Sequence, residues 1–274
     1  MNLEECLSDL AAHYNLNPGE LVNYAYEDTI GGYHSNAQYA NWPLGSIWAV
    51  EGQILYALVR MLKPHVCVEL GTWHGCSATH IAAALHANGG TGRLYCVENG
   101  GYGLAQPDLV PSELQGYMTF FTSDAAEYME QSTHQIDFVF EDSAHNEDIT
   151  RRVWAAAKDR LNPGGVLISH DAKHFLVGEE IRLGIVHSGI DLTRTRFYLI
   201  APSDCGLAIY RDSRAAEVKG LTEVQLAPEK KMKGASLERA TDVVAIIEDA
   251  KKTISKRPPA KKTTPKKRTT KAKS

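Results

Sequence analysis

The 274-residue chain predicts an α/β fold: a doubly wound, mostly parallel sheet of seven strands, closed by an antiparallel hairpin and preceded by helices. Three observations carry that prediction. Short apolar runs at 66–68, 93–97, 118–122, 136–140 and 166–169 alternate with segments of helical period, which is the pattern of repeated strand–helix units. Two further runs, 196–200 and 207–210, are separated by Pro-Ser-Asp-Cys-Gly and read as a closing hairpin. At or just after the carboxyl end of each of the first five runs stands an acid: Glu69, Glu98, Asp124, Asp142 and Asp171.

Each element has a local reason. In the first 64 residues, Asn17-Pro18-Gly19-Glu20 places a capping residue before a proline at the first helical position. Ile47, Val50, Ile54, Leu58 and Met61 then form a helical stripe that ends at Pro64. Between them, 31–45 is rich in glycine, asparagine and aromatics, a loop whose Tyr33 to Trp42 segment is expected to cover a substrate. The alanine-rich chain from Ser77 to Ala87 is a helix. Only nineteen residues, containing Gly100, Gly101, Gly103, Pro107 and Pro111, lie between Glu98 and Met118, where such a fold usually has a full helix. Residues 147–161 carry Ile149, Val153, Ala157 and Leu161 on one helical face, and Asn162-Pro163-Gly164-Gly165 stops that helix before a fifth strand. Residues 178–188 form another helix. The expected organisation is a helical cap with a substrate-side loop (1–64), a cofactor-binding core (65–212), an extension with one amphipathic helix (213–255) and a disordered basic tail (256–274). The stripe of Leu237, Val244, Ile247 and Ile254 either docks on the body or pairs with another subunit, which would make a homo-oligomer.

The net charge of −4 hides a split, because eleven of the 29 basic residues and none of the 33 acids lie in 251–274. Such a tail contacts nucleic acid or another polyanion through counterion release, or serves as a solubilising arm. The acidic MNLEECLSDL start lacks the basic and apolar regions of a secretory signal, so a cytoplasmic protein is expected, without membrane contact. Cys6, Cys67, Cys76, Cys96 and Cys205 are scattered with no C-x-x-C pair and read as small packing hydrophobes.

Residues 66–82, VCVELGTWHGCSATHIA, read as strand, glycine turn and helix. The turn departs from the dinucleotide pattern G-x-G-x-x-G, since Trp73 stands where the middle glycine would be and Glu69 precedes Gly71. That removes the closest backbone approach to a pyrophosphate and places an acid where a cationic amino group is met, such as the one S-adenosylmethionine carries. Glycines kept only for packing are the plainer alternative. Five acids at one sheet edge need a further cause, because ligands bind beyond the carboxyl ends of such strands and unpartnered buried carboxylates cost several kcal/mol. Glu98, closing the second strand, is placed to accept from the two hydroxyls of a ribose.

VELGTWHGCSA, LYCVEN, TSDAAEYM, FVFEDSAH and LNPGGVLISHD together resemble the successive motifs of Rossmann-like class I S-adenosylmethionine-dependent methyltransferases. The likeness spans residues 47–210 and is nearest to the metal-dependent O-methyltransferases of the catechol and caffeoyl-CoA type and to the macrocin and mycinamicin sugar O-methyltransferases. It implies that Glu69, Gly71, Thr72, Gly75 and Ser77 surround the methionine part of the cofactor, Glu98 holds the ribose, Asp124 and Ala125 meet the adenine, and Asp142 adjoins them. It also implies a divalent metal, Mg²⁺ or Mn²⁺, on Asp142 and Asp171 with His170 as a further ligand, and His145 as general base. Here the pattern departs from the family, which has an acid where His170 stands. For His145 the alternative is a solvent-exposed side chain, and for His170 a hydrogen-bond donor to Asp171. The implied activity is methylation of a hydroxyl on a small molecule, a sugar or a phenol. A non-catalytic scaffold with a polyanion-binding tail is the competing class. Nucleic-acid methylation is opposed by the acidic body and by the absence of an Asn-Pro-Pro-Tyr or Pro-Cys motif after the fourth strand.

Overall fold

The computed structural model of the chain describes residues 1–27, 46–101 and 110–213. The chain divides into two units, Met1–Ala227 and Pro228–Ser274, and all described residues belong to the first. The aromatic loop Tyr33 to Trp42, the amphipathic stripe of 236–255 and the basic tail lie outside them.

The elements are α1 (Leu3–Tyr14), α2 (Pro18–Ala25), α3 (Ala49–Leu62), β1 (Val66–Leu70), α4 (Cys76–Ala87), β2 (Arg93–Glu98), α5 (Ser112–Gln115), β3 (Met118–Thr122), α6 (Ala125–Gln131), β4 (Ile136–Glu141), α7 (Glu147–Arg160), β5 (Leu161–Ser169), α8 (Gly178–His187), β6 (Thr195–Tyr198) and β7 (Leu207–Arg211). The strands form one sheet in the order β3-β2-β1-β4-β5-β7-β6. The first five are mutually parallel, β7 runs antiparallel to β5, and β6 runs antiparallel to β7. The expected doubly wound sheet and closing hairpin are both present.

Side-chain alternation builds two apolar layers, as a sheet covered on both faces requires. Cys67, Phe138, Phe140, Ile168 and Ile209 face one way and pack with α1 to α4. Val68, Leu70, Val139, Leu167 and Tyr210 face the other and pack with α6, α7 and α8. The first two helices share the first layer: Leu3, Cys6, Leu7 and Leu10 are buried in it. Polar latches hold them to the hairpin, since the Tyr198 hydroxyl donates to Asp9 at 3.0 Å and the N-terminal amine to the Leu199 carbonyl at 3.2 Å. The expected Asn17 cap is realised, its side chain accepting from the Glu20 amide at 3.2 Å with Pro18 at the first helical position.

The Asn-Pro-Gly-Gly segment behaves differently from the expectation. It does not separate helix from strand; β5 begins at Leu161, directly after α7, and residues 162–165 lie within it. Leu161 pairs with Ile136, the register then shifts before Val166 pairs with Phe138, and the Asn162 amide donates to Asp137 at 2.6 Å. The proline and the two glycines therefore form an irregularity inside a paired strand, which the glycine at φ +83° accommodates. In the short stretch after β2, the described residues include only the four-residue helix α5.

Because Leu10 is fully buried in the shared layer, Leu10→Ala should cost about 2–5 kcal/mol. Urea unfolding followed by circular dichroism should show a single shifted transition; an unchanged main transition with a separate early one would mean that the helices fold apart from the sheet.

Candidate active site

Register brings the acids to one edge. Leu70 lies opposite both Val97 and Glu141, and Glu141 lies opposite Ser169, so the residues that follow leave the sheet side by side. The strand order reverses between β1 and β4, and at such a switch point the flanking loops diverge to leave a crevice. A cleft of about 600 Å³ opens there, lined by Gly71, Trp73, Glu98, Asn99, Asp124, Ala125, Asp142, His145 and Asp171 among others.

On the β2 side, Glu98 is held by amides. Its carboxylate accepts from the Trp73 N–H at 3.0 Å and from the Asn99 N–H at 2.9 Å. Trp73 itself has φ +45°, so it adopts the left-handed conformation that a glycine would take in the same turn, at a cost of order 1–3 kcal/mol. The sequence departs from the glycine pattern while the backbone keeps the glycine geometry. Asp124 lines the cleft but also caps α6, accepting from the Glu127 amide at 3.0 Å.

On the β4 and β5 side, carboxylates and imidazoles alternate. The His145 Nε2 lies 2.9 Å from Asp171 and 3.3 Å from Asp142. The His170 Nδ1 lies 3.2 Å from Asp142 and 3.5 Å from Asp171, while its Nε2 donates to Glu51 at 2.9 Å. The two carboxylates lift His145 to about 10. His170, although burial opposes its charge, is also raised well above the usual imidazole range by Asp142 and Glu51. Burial pushes the carboxyls of Asp142 and Asp171 up, but the two imidazoles outweigh it and hold both below the usual range. His145 is therefore a cation at neutral pH with these partners. The general-base role expected of it requires that Asp142 and Asp171 first be neutralised by something other than its own proton. Asp171 has φ +54°, a conformation that aspartate tolerates better than most residues.

The expected methionine-side residues divide. Gly71 lines the cleft, whereas Glu69, Thr72, Gly75 and Ser77 stand behind the lining. Gly71 has φ +87°, and a Cβ there would lie 2.1 Å from the Asp142 carbonyl oxygen. Its missing side chain thus admits the backbone that follows β4, the packing role that the sequence left open as the plainer alternative. Glu69 is fully buried, and neither of its oxygens has a well-aligned hydrogen-bond partner, though the hydroxyls of Ser77 and Thr72 lie beside it. Burial, with Asp142 and Glu98 nearby, pushes its carboxyl up to about 8. An orphaned buried acid at the end of β1 fits a cationic amino group brought by a ligand. The residues also fit a divalent ion, because one ligand atom each from Asp142, His145 and Asp171 lie within 4.8 Å of one another.

Three participants were not singled out from the sequence. Glu51, wholly buried, also accepts from the Trp48 amide at 3.0 Å, the Ser203 hydroxyl at 2.6 Å and the Gly206 amide at 3.2 Å. Glu141 accepts from the Ser143 hydroxyl at 2.9 Å and from Ser169, whose oxygen accepts from the Trp154 indole at 2.8 Å. Cys205 is half-buried beside His170 and Asp171, unlike the four buried cysteines, and this corrects its reading as core. For Glu51 the available signal was an acid on the otherwise apolar face of a helix that leads into β1.

Residues 68–172 match a family model described as a methyltransferase domain. Among solved structures, an O-methyltransferase from Bacillus cereus in complex with SAH is similar at TM-score 0.52 and 15% identity, over 73% of this chain and 100% of that one. TomG from Streptomyces achromogenes, an O-methyltransferase involved in tomaymycin synthesis and solved with SAM, is similar at TM-score 0.52 and 17% identity, over 72% and 96%. At these identities the likeness is one of fold. No curated protein sequence matches the chain. Residues 68–172 are thus similar to a methyltransferase domain, and the core shares its fold with these O-methyltransferases, as the motifs led one to expect. No helix among the described residues is long and apolar enough to cross a membrane.

Two consequences are measurable. Gly71→Ala combines a clash with a strained φ and should cost at least about 2 kcal/mol in urea unfolding. Folding lifts Glu69 from 4.5 to about 8, so the folded chain holds this proton more tightly than the unfolded one. Its contribution to stability is full below the ordinary value and is lost as pH rises through the folded value. Thermal melting of the ligand-free Glu69→Gln variant should therefore fall less than wild type between about pH 5 and pH 9; equal falls would refute the shift.

Proposed function

We propose that the chain is an S-adenosylmethionine-dependent O-methyltransferase acting on a hydroxyl of a small molecule, a sugar or a phenol, with help from a divalent metal. One observation carries this reading: amide-held Glu98 and the Asp142–His145–Asp171 cluster converge on a single cleft at the switch point of a class I methyltransferase fold.

S-Adenosylmethionine supplies an electrophilic methyl group on a sulfonium. Glu98, with both oxygens fixed by backbone amides, presents its remaining acceptor capacity to a pair of ribose hydroxyls. Glu69 offers the buried carboxylate that a cationic amino group would satisfy. Asp142 and Asp171 would hold a metal, whose positive charge would lower the pKa of an acceptor hydroxyl. His145, once those carboxylates are otherwise neutralised, returns toward its ordinary range and accepts the hydroxyl proton.

Titration calorimetry of S-adenosylmethionine into the full chain tests the reading. Glu98→Gln should weaken binding roughly 10- to 100-fold, the worth of hydrogen bonds to a charged acceptor. Mass spectrometry over a panel of catechols and sugars should then detect a methylated product that His145→Ala diminishes. No binding to the wild type would overturn the proposal.

A further inference from the structure

Beside the Asp142–His145–Asp171 group lies a second set of donors: His170, Asp171 and Cys205 have ligand atoms within 4.8 Å of one another. The two sets share Asp171. Cys205 sits in the turn between β6 and β7, and that turn is fixed from the same point as the imidazole. The Ser203 hydroxyl donates to Glu51 and accepts from the Cys205 amide at 3.0 Å, and the Gly206 amide donates to Glu51 as well. The loop after β5 closes on it, with the Lys173 amide donating to the Cys205 carbonyl at 2.8 Å. Glu51 takes the Nε2 proton of His170 and leaves Nδ1 turned toward Asp142 and Asp171. Metal-bound imidazoles almost always give their far N–H to a carboxylate, a backbone carbonyl or water, and here that partner is the Glu51 carboxylate.

We infer that Cys205 and the Nδ1 of His170 join Asp142 and Asp171 as donors to one divalent ion, making a mixed sulfur, nitrogen and oxygen centre that selects a transition ion such as Zn²⁺ or Co²⁺ over Mg²⁺. The inference rests on the metal-assisted reading above and names the ion class. Sulfur and imidazole donors favour such ions, whereas Mg²⁺ prefers oxygen and water. On binding, the ion replaces the thiol proton of Cys205 and the Nδ1 proton of His170, both released to solvent, with no change of oxidation state. Without an ion the thiol donates to Asp204 at 3.5 Å, a long contact that a metal bond readily replaces.

Co²⁺ titration of the full chain under reducing, chelator-free conditions tests this. The expected spectrum has an intense near-ultraviolet sulfur-to-cobalt band, lost in Cys205→Ser while the weak visible bands remain. Glu51→Gln, checked for folding by circular dichroism, should keep the band and weaken Co²⁺ affinity about 10- to 100-fold. Zn²⁺ should displace the cobalt, and Mg²⁺ in large excess should not. Visible bands without the sulfur band, a band that persists in Cys205→Ser, displacement by Mg²⁺, or no cobalt binding would each overturn the inference. Calorimetry with S-adenosylmethionine on the same samples decides the methyltransferase reading separately, because Cys205 is not among the residues named as lining the cleft.

Discussion

The structure of the site depends on the buried pair of Glu51 and His170. A carboxylate with no exposed surface is expensive unless its lone pairs are filled, and Glu51 fills them from three parts of the chain: the start of α3 through Trp48, the end of β5 through His170, and the β6–β7 turn through Ser203 and Gly206. None of these contacts is local except the first. The pair therefore does what a hydrophobic contact could not: it fixes direction. His170 cannot rotate without uncovering Glu51, and Asp142 and Asp171 are oriented by the ring that Glu51 holds. Removing one partner of such a pair costs about 3–5 kcal/mol, so the arrangement is as much a folding constraint as a functional one.

A second tier of buried acids supports the first. Glu141 lies within the sheet edge and is satisfied by Ser143 and Ser169, with Trp154 of α7 completing the chain. Burial raises its carboxyl, yet its hydroxyl partners suit either protonation state. Glu69 differs, because its neighbours leave both oxygens without aligned donors. Two acids at adjacent strand ends thus have different standing: Glu141 is closed by well-aligned donors, and Glu69 has only the Ser77 and Thr72 hydroxyls beside it.

Much of this was legible in the sequence, for identifiable reasons. The five parallel strands follow from apolar runs that end in polar residues, and the edge they share follows from the strand pattern alone. Glu98, Asp142, His145 and Asp171 were readable because each lies at or within four residues of the end of a strand, where chain position fixes place in space. Glu51 was not, since an acid in the first turn of a helix is usually just a capping residue, which Glu51 also is; its other partners lie more than a hundred residues away. Cys205 was hidden in a turn of ordinary turn residues. Gly71 was read as a cofactor neighbour with packing as the alternative, and only three dimensions show that its missing side chain makes room for the protein's own backbone. Asn162 to Gly165 misled because proline and glycine mark both turns and strand irregularities, and the choice was made by Leu161 finding Ile136 as a partner.

The two halves of the cleft are built on different physics. On the β2 side the carboxylate of Glu98 is positioned by backbone N–H groups, which neither titrate nor leave. On the β4 and β5 side the carboxylates are positioned by imidazoles, whose grip depends on protons and gives way to any cation that competes for the same oxygens. The first side is therefore held in place whatever the protonation of its surroundings, while the second side is free to exchange its imidazole partners for another cation. Such a division suits a site that holds one constant ligand beside a reacting centre where charge has to move. It also explains why the strained backbones fall where they do: Trp73 delivers its amide to the fixed half, and Asp171 delivers its carboxylate to the labile one. In both cases a left-handed residue is tolerated because the surrounding hydrogen bonds leave it no better conformation.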